Sequence, residues 1–262
     1  MICGRQAPGP AGGRVLIVGW PSFLHGEATA GDVLAMEAAR GVLSDAGLRC
    51  DLAWSPVFRP GGRTLEDSPA EDYTHLVFAC GPVHGWQVEE LHDRYRSCYR
   101  IAVGVSVIDA ADPAVTGFDQ VLARDAPATA GRLDLAAAVP VPEVPVAAVI
   151  LAGAQPEYVA RGRHTSLTDE LGSWLATLEC ARMMVDTRLA HGDWRSPATA
   201  AQVEAVIARA DVVVTTRLHG LVLALKQGVP VLAVDPVAGG ADERVALLVL
   251  LVPGLLADQR QA

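Results

Sequence analysis

Residues 210–234 constrain the fold more than any other stretch of the chain. Two short β-branched runs, Val212–Thr215 and Val229–Val234, flank one helical stretch, Leu218–Gln227, that stops at Gly228. Short, nearly unbroken apolar runs mark strands buried on both faces, and such strands belong to parallel sheets covered by helices. The same alternation recurs upstream. Strands are expected at Arg14–Gly19, Arg49–Ala53, His75–Ala79, Ile101–Val107 and Gln120–Ala123. Helices are expected at Asp32–Gly47, Val88–Arg96 and Pro113–Phe118, and Val33, Met36, Ala39, Val42, Leu43 and Ala46 of the first recur at helical spacing.

The pattern restarts after a proline-dense stretch, Val139–Val146, which reads as a connection because proline weakens sheet ladders and favours extended linkers. Beyond it come strands at Ala147–Leu151 and Arg182–Val185 and helices at Ser166–Leu178 and Thr199–Arg209. The expectation is an α/β protein of two Rossmann-like halves facing each other across a cleft, residues 14–144 and 145–262, preceded by a loose Gly- and Pro-rich leader at 1–13. Ligands of open α/β sheets sit outside the carboxyl ends of the strands.

Composition narrows the function classes. A net charge of −9 in 262 residues argues against a nucleic-acid surface. The five cysteines are odd in number and show no CxxC spacing, as expected of free thiols in a reducing, cytoplasmic compartment. The longest apolar run, Val245–Leu256, is too short to span a bilayer, so no transmembrane segment is expected. No His/Cys/Asp/Glu cluster has metal-ligand spacing, and no metal or organic cofactor is expected.

Chemistry concentrates at Thr215-Thr216-Arg217-Leu218-His219-Gly220, where the strand runs straight into the helix. Unpaired N–H groups and the positive end of the helix dipole favour an anion there. Arg217 adds a forked cation suited to phosphate or carboxylate. His219 exchanges a proton near neutral pH. Thr216 flanks the ligand, and Gly220 leaves room for close backbone approach. The plain alternative is a capping threonine, a surface arginine and a core histidine. An Arg and a His in the first turn of an otherwise apolar helix are hard to explain by packing.

The stretch ADVVVTTRLHGLVLALKQGVPVLAVDP resembles the signature segment of the polysaccharide pyruvyl transferases. More weakly, Gly26–Asp32 resembles the family's glycine-containing turn ending in Gly-Asp, Gln120–Asp125 its Arg-Asp segment, and Asp134-Leu135-Ala136 the Asp-x-Ala that follows. The resemblance implies a fold like that of the GT-B glycosyltransferases. It implies transfer of the enolpyruvyl unit from phosphoenolpyruvate to sugar hydroxyls, forming a pyruvate ketal, without an organic cofactor. Arg124, Arg217, Leu218 and His219 match donor-binding positions, Leu218 through its backbone. The first half then becomes the acceptor side and the second the donor phosphate side, in exopolysaccharide or cell-wall glycan biosynthesis. Gly239–Arg244 lacks a lysine that family members often carry, and the chain is short for the family, so a truncated or divergent C-terminal half is expected.

Other residues join the candidate list by position. Gly81 and His84 follow the strand His75–Ala79, His25 lies in the first loop where an acceptor would approach, Asp32 opens the first helix, and Asp235 ends the strand after the signature helix. Each has a plain reading as a turn, loop or helix-start residue. Arg161, Arg163 and His164 form a small basic group before a helix, usually a solvated loop. Two other functions fit the pattern: a GT-B-type glycosyltransferase using a nucleotide sugar, and a non-catalytic anion-binding relative. The sequence leaves the acceptor sugar and the oligomeric state open.

Overall fold

The computed structural model describes residues 13–127, 129–153 and 161–237. Most of the 1–13 leader, the Gly239–Arg244 segment and the Val245–Leu256 run lie outside the described residues. The chain forms two compact units that divide at Val141/Pro142, inside the proline-dense stretch and three residues before the expected boundary.

The first unit is built on a parallel five-stranded sheet. Its strands are β1 (Arg14–Val18), β2 (Arg49–Leu52), β3 (His75–Ala79), β4 (Tyr99–Ser106) and β5 (Gln120–Asp125), in the order β2-β1-β3-β4-β5. Alternate residues of each strand feed opposite faces. Leu16, Val18, Leu76 and Phe78 point into one core with Val88 and Leu91 of α2 (Trp86–Arg94) and Ala114 of α3 (Pro113–Thr116). Val15, Ile17, Val77 and Ala79 point into the other, against Met36 and Ala39 of α1 (Ala30–Asp45). Burial on both faces explains why these strands read as unbroken apolar runs, each large side chain contributing roughly 1.5–3 kcal/mol.

The second unit repeats the plan with β6 (Val146–Ile150), β7 (Ala181–Met184), β8 (Val212–Thr215) and β9 (Val231–Ala233), all parallel and ordered β7-β6-β8-β9. Ala148, Ile150 and Val213 pack against Val203 and Ile207 of α5 (Ala200–Ile207) and Ala224 of α6 (Leu218–Lys226). Ala147, Val149 and Val214 pack against Leu171 and Leu175 of α4 (His164–Ala176). In each sheet the first strand of the unit is internal, and the chain leaves it to one side and then the other. The strand order therefore reverses between β1 and β3 and between β6 and β8, the places where such sheets bind ligands.

Helix starts account for most differences from the sequence expectation. α1 begins at Ala30 because Thr29 caps it, its hydroxyl accepting from the Asp32 N–H at 3.2 Å. α2 begins at Trp86 because Gly85, at φ 88°, turns the chain into the helix. α4 begins at His164, just after the Arg163 N–H donates to the Pro236 carbonyl at 2.7 Å. Three short 3-10 segments, Trp20–Ser22, Ala70–Asp72 and Leu135–Ala138, carry no periodicity that the sequence could reveal.

Candidate anion site at the second switch point

The turn after β8 is held by the two threonines before Arg217. The fully buried Thr215 hydroxyl donates to the Ile150 carbonyl at 2.9 Å and accepts from the Arg217 N–H at 2.9 Å. The Thr216 hydroxyl accepts from the Ala152 N–H at 2.7 Å. The ends of β6 and β8 are thus tied together at their carboxyl side. Thr216 is 7% exposed, and its hydroxyl is engaged with this backbone N–H.

Arg217 is the N-cap of α6, in extended conformation, and no side chain caps the first turn. The N–H groups of Leu218, His219 and Gly220 therefore lack intrahelical acceptors. Among the described residues the Arg217 guanidinium makes only long contacts, from Nε to the Leu151 carbonyl at 3.4 Å and from NH2 to Asp186 Oδ1 at 3.9 Å. Asp186 is more firmly held by Arg188, at 2.6 Å. That pairing, helped by Arg217, keeps the Asp186 carboxyl below the usual carboxylate range. Arg217 is oriented but keeps hydrogen-bonding capacity.

A cavity of about 440 Å³ opens here. Thr216, Arg217, Leu218, His219 and Asp235 all line it, so the structure brings five of the sequence candidates together. Leu218 and His219 are exposed, leaving the imidazole accessible. Asp235 lies beyond the carboxyl end of β9, and its Oδ1 accepts from the Val237 N–H at 2.9 Å. Gly220 serves a different contact from the one expected. A β-carbon there would sit 2.3 Å from Thr215 Oγ1 and 3.0 Å from Thr215 Cβ, so the missing side chain lets α6 pack onto β8.

Two further polar residues line it, Arg161 and Thr187, of which only Thr187 went unnoticed in the sequence. Arg161 belongs to the basic group noted before α4. Its backbone neighbour Gly162 bridges antiparallel to Val237, which brings the basic segment to the rim of the anion site. Thr187 and Asp186 follow β7, and their place beyond the carboxyl end of a parallel strand was the one signal available for them.

The candidates of the first unit stand in other surroundings. Arg124 is closed by its own unit: Nε donates to Asp125 at 2.7 Å, NH2 to Ser106 Oγ at 2.6 Å, and NH1 to Asp134. The Arg-Asp and Asp-x-Ala segments picked out by resemblance are therefore the two ends of one ion-pair cluster. Asp32 is buried and accepts from Thr29 Oγ1 at 2.6 Å, the helix-start arrangement. Gly81 sits at φ 74°, and a β-carbon there would lie 2.3 Å from the Trp20 ring. His84 is exposed and meets Asp112 at 2.5 Å, which holds the Asp112 carboxyl down. His25 lines a separate cavity with Trp86.

Residues 194–236 match the family model described as Polysaccharide pyruvyl transferase. The matched segment runs from before α5 to just past β9 and contains the whole turn at Arg217. It supports a polysaccharide-modifying transferase. Comparison with curated proteins gives no match. Among solved structures, E. coli heptosyltransferase WaaC with ADP aligns at 17% identity over 84% of this chain and 86% of that one, with a TM-score of 0.29. The same enzyme with ADP-2-deoxy-2-fluoro heptose aligns at 17% identity, 84% and 88% coverage, and a TM-score of 0.28. The ligand-free, open structure of CD0873, a substrate binding protein from Clostridium difficile, aligns at 9% identity, 84% and 74% coverage, and a TM-score of 0.24. Among the described residues no group of His, Cys, Asp and Glu could hold a metal ion, and no helix is long and apolar enough to cross a membrane.

Proposed function

We propose that this protein transfers the enolpyruvyl unit of phosphoenolpyruvate to two hydroxyls of a sugar or glycan intermediate, forming a pyruvate ketal and releasing phosphate. The observation that carries the reading is the grouping of Arg217, Arg161, His219 and the uncapped start of α6 around one cavity. Phosphoenolpyruvate carries its phosphate ester and its carboxylate on one carbon. Arg217 and the helix N–H groups take one anion and Arg161 takes the other. Arg161 is given this role because it lines the same cavity as Arg217 and His219.

In the reaction, His219 delivers a proton to the methylene carbon, which becomes the methyl group. The adjacent carbon gains oxocarbenium character, and the first sugar oxygen adds to it, losing its proton to the imidazole. The carbon–oxygen bond to phosphate then breaks, with the departing charge held by Arg217. The second hydroxyl adds to the same carbon, gives its proton to the departing phosphate, and closes the ketal. Asp235, on the wall of the same cavity, is assigned to orienting the acceptor or the imidazole. The reaction is assigned to the cytoplasm, in keeping with the free thiols of Cys50, Cys80, Cys98 and Cys180.

Incubation with carbon-13-labelled phosphoenolpyruvate and a panel of lipid-linked and nucleotide sugars tests this directly. The expected product carries a labelled ketal carbon and one phosphate is released per ketal. Turnover of nucleotide sugars with phosphoenolpyruvate left intact would favour the glycosyltransferase alternative instead.

A further inference from the structure

The first unit contains a second built cavity, of about 500 Å³, within the range of small-molecule sites, roughly 300–1,000 Å³. It lies between the loop after β1 and one face of α2. The loop is tightly folded: the Gly26 N–H donates to the Phe23 carbonyl at 3.1 Å, and a β-carbon on Gly26 would fall 2.0 Å from the Trp20 carbonyl oxygen. Ser22 Oγ ties the loop to the Ala53 carbonyl at 2.6 Å. Arg94 of α2 donates to the Leu65 carbonyl and approaches Glu66 at 3.7 Å, fixing the far wall.

The chemistry of this cavity is specific. Trp86 stands at the first position of α2 and is 63% exposed, unusual for so large a residue. Glu90 lies one turn further along the same helix face, and His25 lines the loop side. A pyranose presents a C–H face that suits the electron-rich face of an indole and a rim of hydroxyls that suits carboxylates. Glu66 and Glu90 outnumber Arg94 at the cavity, so a phosphate-bearing ligand meets like charge there. The anion cavity of the second unit has the opposite character.

We infer that the cavity between His25, Trp86 and Glu90 is a carbohydrate site that binds an uncharged pyranose of the acceptor. The inference rests on the transferase reading for its role as acceptor site, but the binding itself is a property of the first unit. The test is saturation-transfer NMR on the full chain with methyl glycosides of glucose, galactose, mannose, N-acetylglucosamine and N-acetylmannosamine, with ADP and UDP as competing probes. At least one glycoside should bind. Trp86→Ala should weaken it roughly tenfold or more, and Trp86→Phe should retain most of the binding. Glu90→Gln should weaken it less. Arg217→Ala should leave glycoside binding intact while removing the response to phosphoenolpyruvate, which separates failure of this inference from failure of the transferase reading. Absence of glycoside binding, binding indifferent to Trp86→Ala, or Trp86-dependent binding of the nucleotides alone would overturn it.

Discussion

The two sheets share one strand order up to their fourth strand, yet the arginines along their carboxyl edges are held in opposite ways. In the first unit the Trp20 ring lies over Gly81, a cavity opens between the loop after β1 and α2, and further along the same carboxyl edge Arg124 is neutralised by Asp125 and Asp134. In the second unit the ends of β6 and β8 are tied back by Thr215 and Thr216, leaving a cavity in which the Arg217 guanidinium makes only long contacts among the described residues. A conserved topology supplies a location for a ligand. Whether an arginine there binds a ligand or staples the protein depends on the carboxylates within its reach. Arg124 has two at bonding distance and Arg217 has one at 3.9 Å.

Substitutions at the two arginines give the largest contrast. Arg217→Ala should lower transfer by about a hundredfold or more, since loss of a charge-assisted contact costs roughly 2–3 kcal/mol. Steady-state kinetics with saturating acceptor checks this, and near-wild-type transfer would remove Arg217 from the mechanism. Gly220→Ala should destabilise the second unit by about 1–3 kcal/mol, because the new methyl meets Thr215 Oγ1 at 2.3 Å and α6 must shift from β8. Chemical denaturation measures it, and an unchanged midpoint would mean that the packing assigned to Gly220 is wrong. Arg124→Ala should cost about 1 kcal/mol of stability for a half-exposed ion-pair cluster and leave the response to phosphoenolpyruvate unchanged. Loss of that response with the fold intact would restore Arg124 to the donor site.

The smallest effect concerns pH. Burial lowers the pKa of His92 in the first unit, its Nε2 faces the Ala114 carbonyl at 2.8 Å, and among the described residues Nδ1 has no partner. A histidine whose folded pKa is depressed contributes stability above its unfolded value, near 6.5, and loses it as pH falls through the folded one. Wild type should therefore lose melting temperature between pH 7.5 and 5.5 more steeply than His92→Phe. Equal slopes would contradict the assignment.

The candidate site was legible because its chemistry is contiguous: strand end, arginine, histidine and helix start all fall within Thr215–Gly220. The strands were legible for a related reason, since burial on both faces writes itself into runs such as Leu16-Ile17-Val18. Partnerships across long separations were not. Nothing near Arg124 announces that Asp134 and Ser106 will take its hydrogen bonds, and nothing near Arg217 announces Asp186. Gly220 packs closely on Thr215, a partner the sequence leaves unnamed, because a bare glycine signals close approach without saying of what. Nothing near Trp86 in the sequence announces that the loop holding His25 will share its cavity.

The central claim is that the second unit's turn binds phosphoenolpyruvate through Arg217. Isothermal titration of the full chain with phosphoenolpyruvate, repeated with Arg217→Ala and with ADP and UDP in its place, tests it most directly. Saturable binding of phosphoenolpyruvate that weakens at least about tenfold in Arg217→Ala, without comparable binding of either nucleotide, is the predicted result. Binding of a nucleotide with no heat from phosphoenolpyruvate, or phosphoenolpyruvate binding indifferent to Arg217, would contradict it.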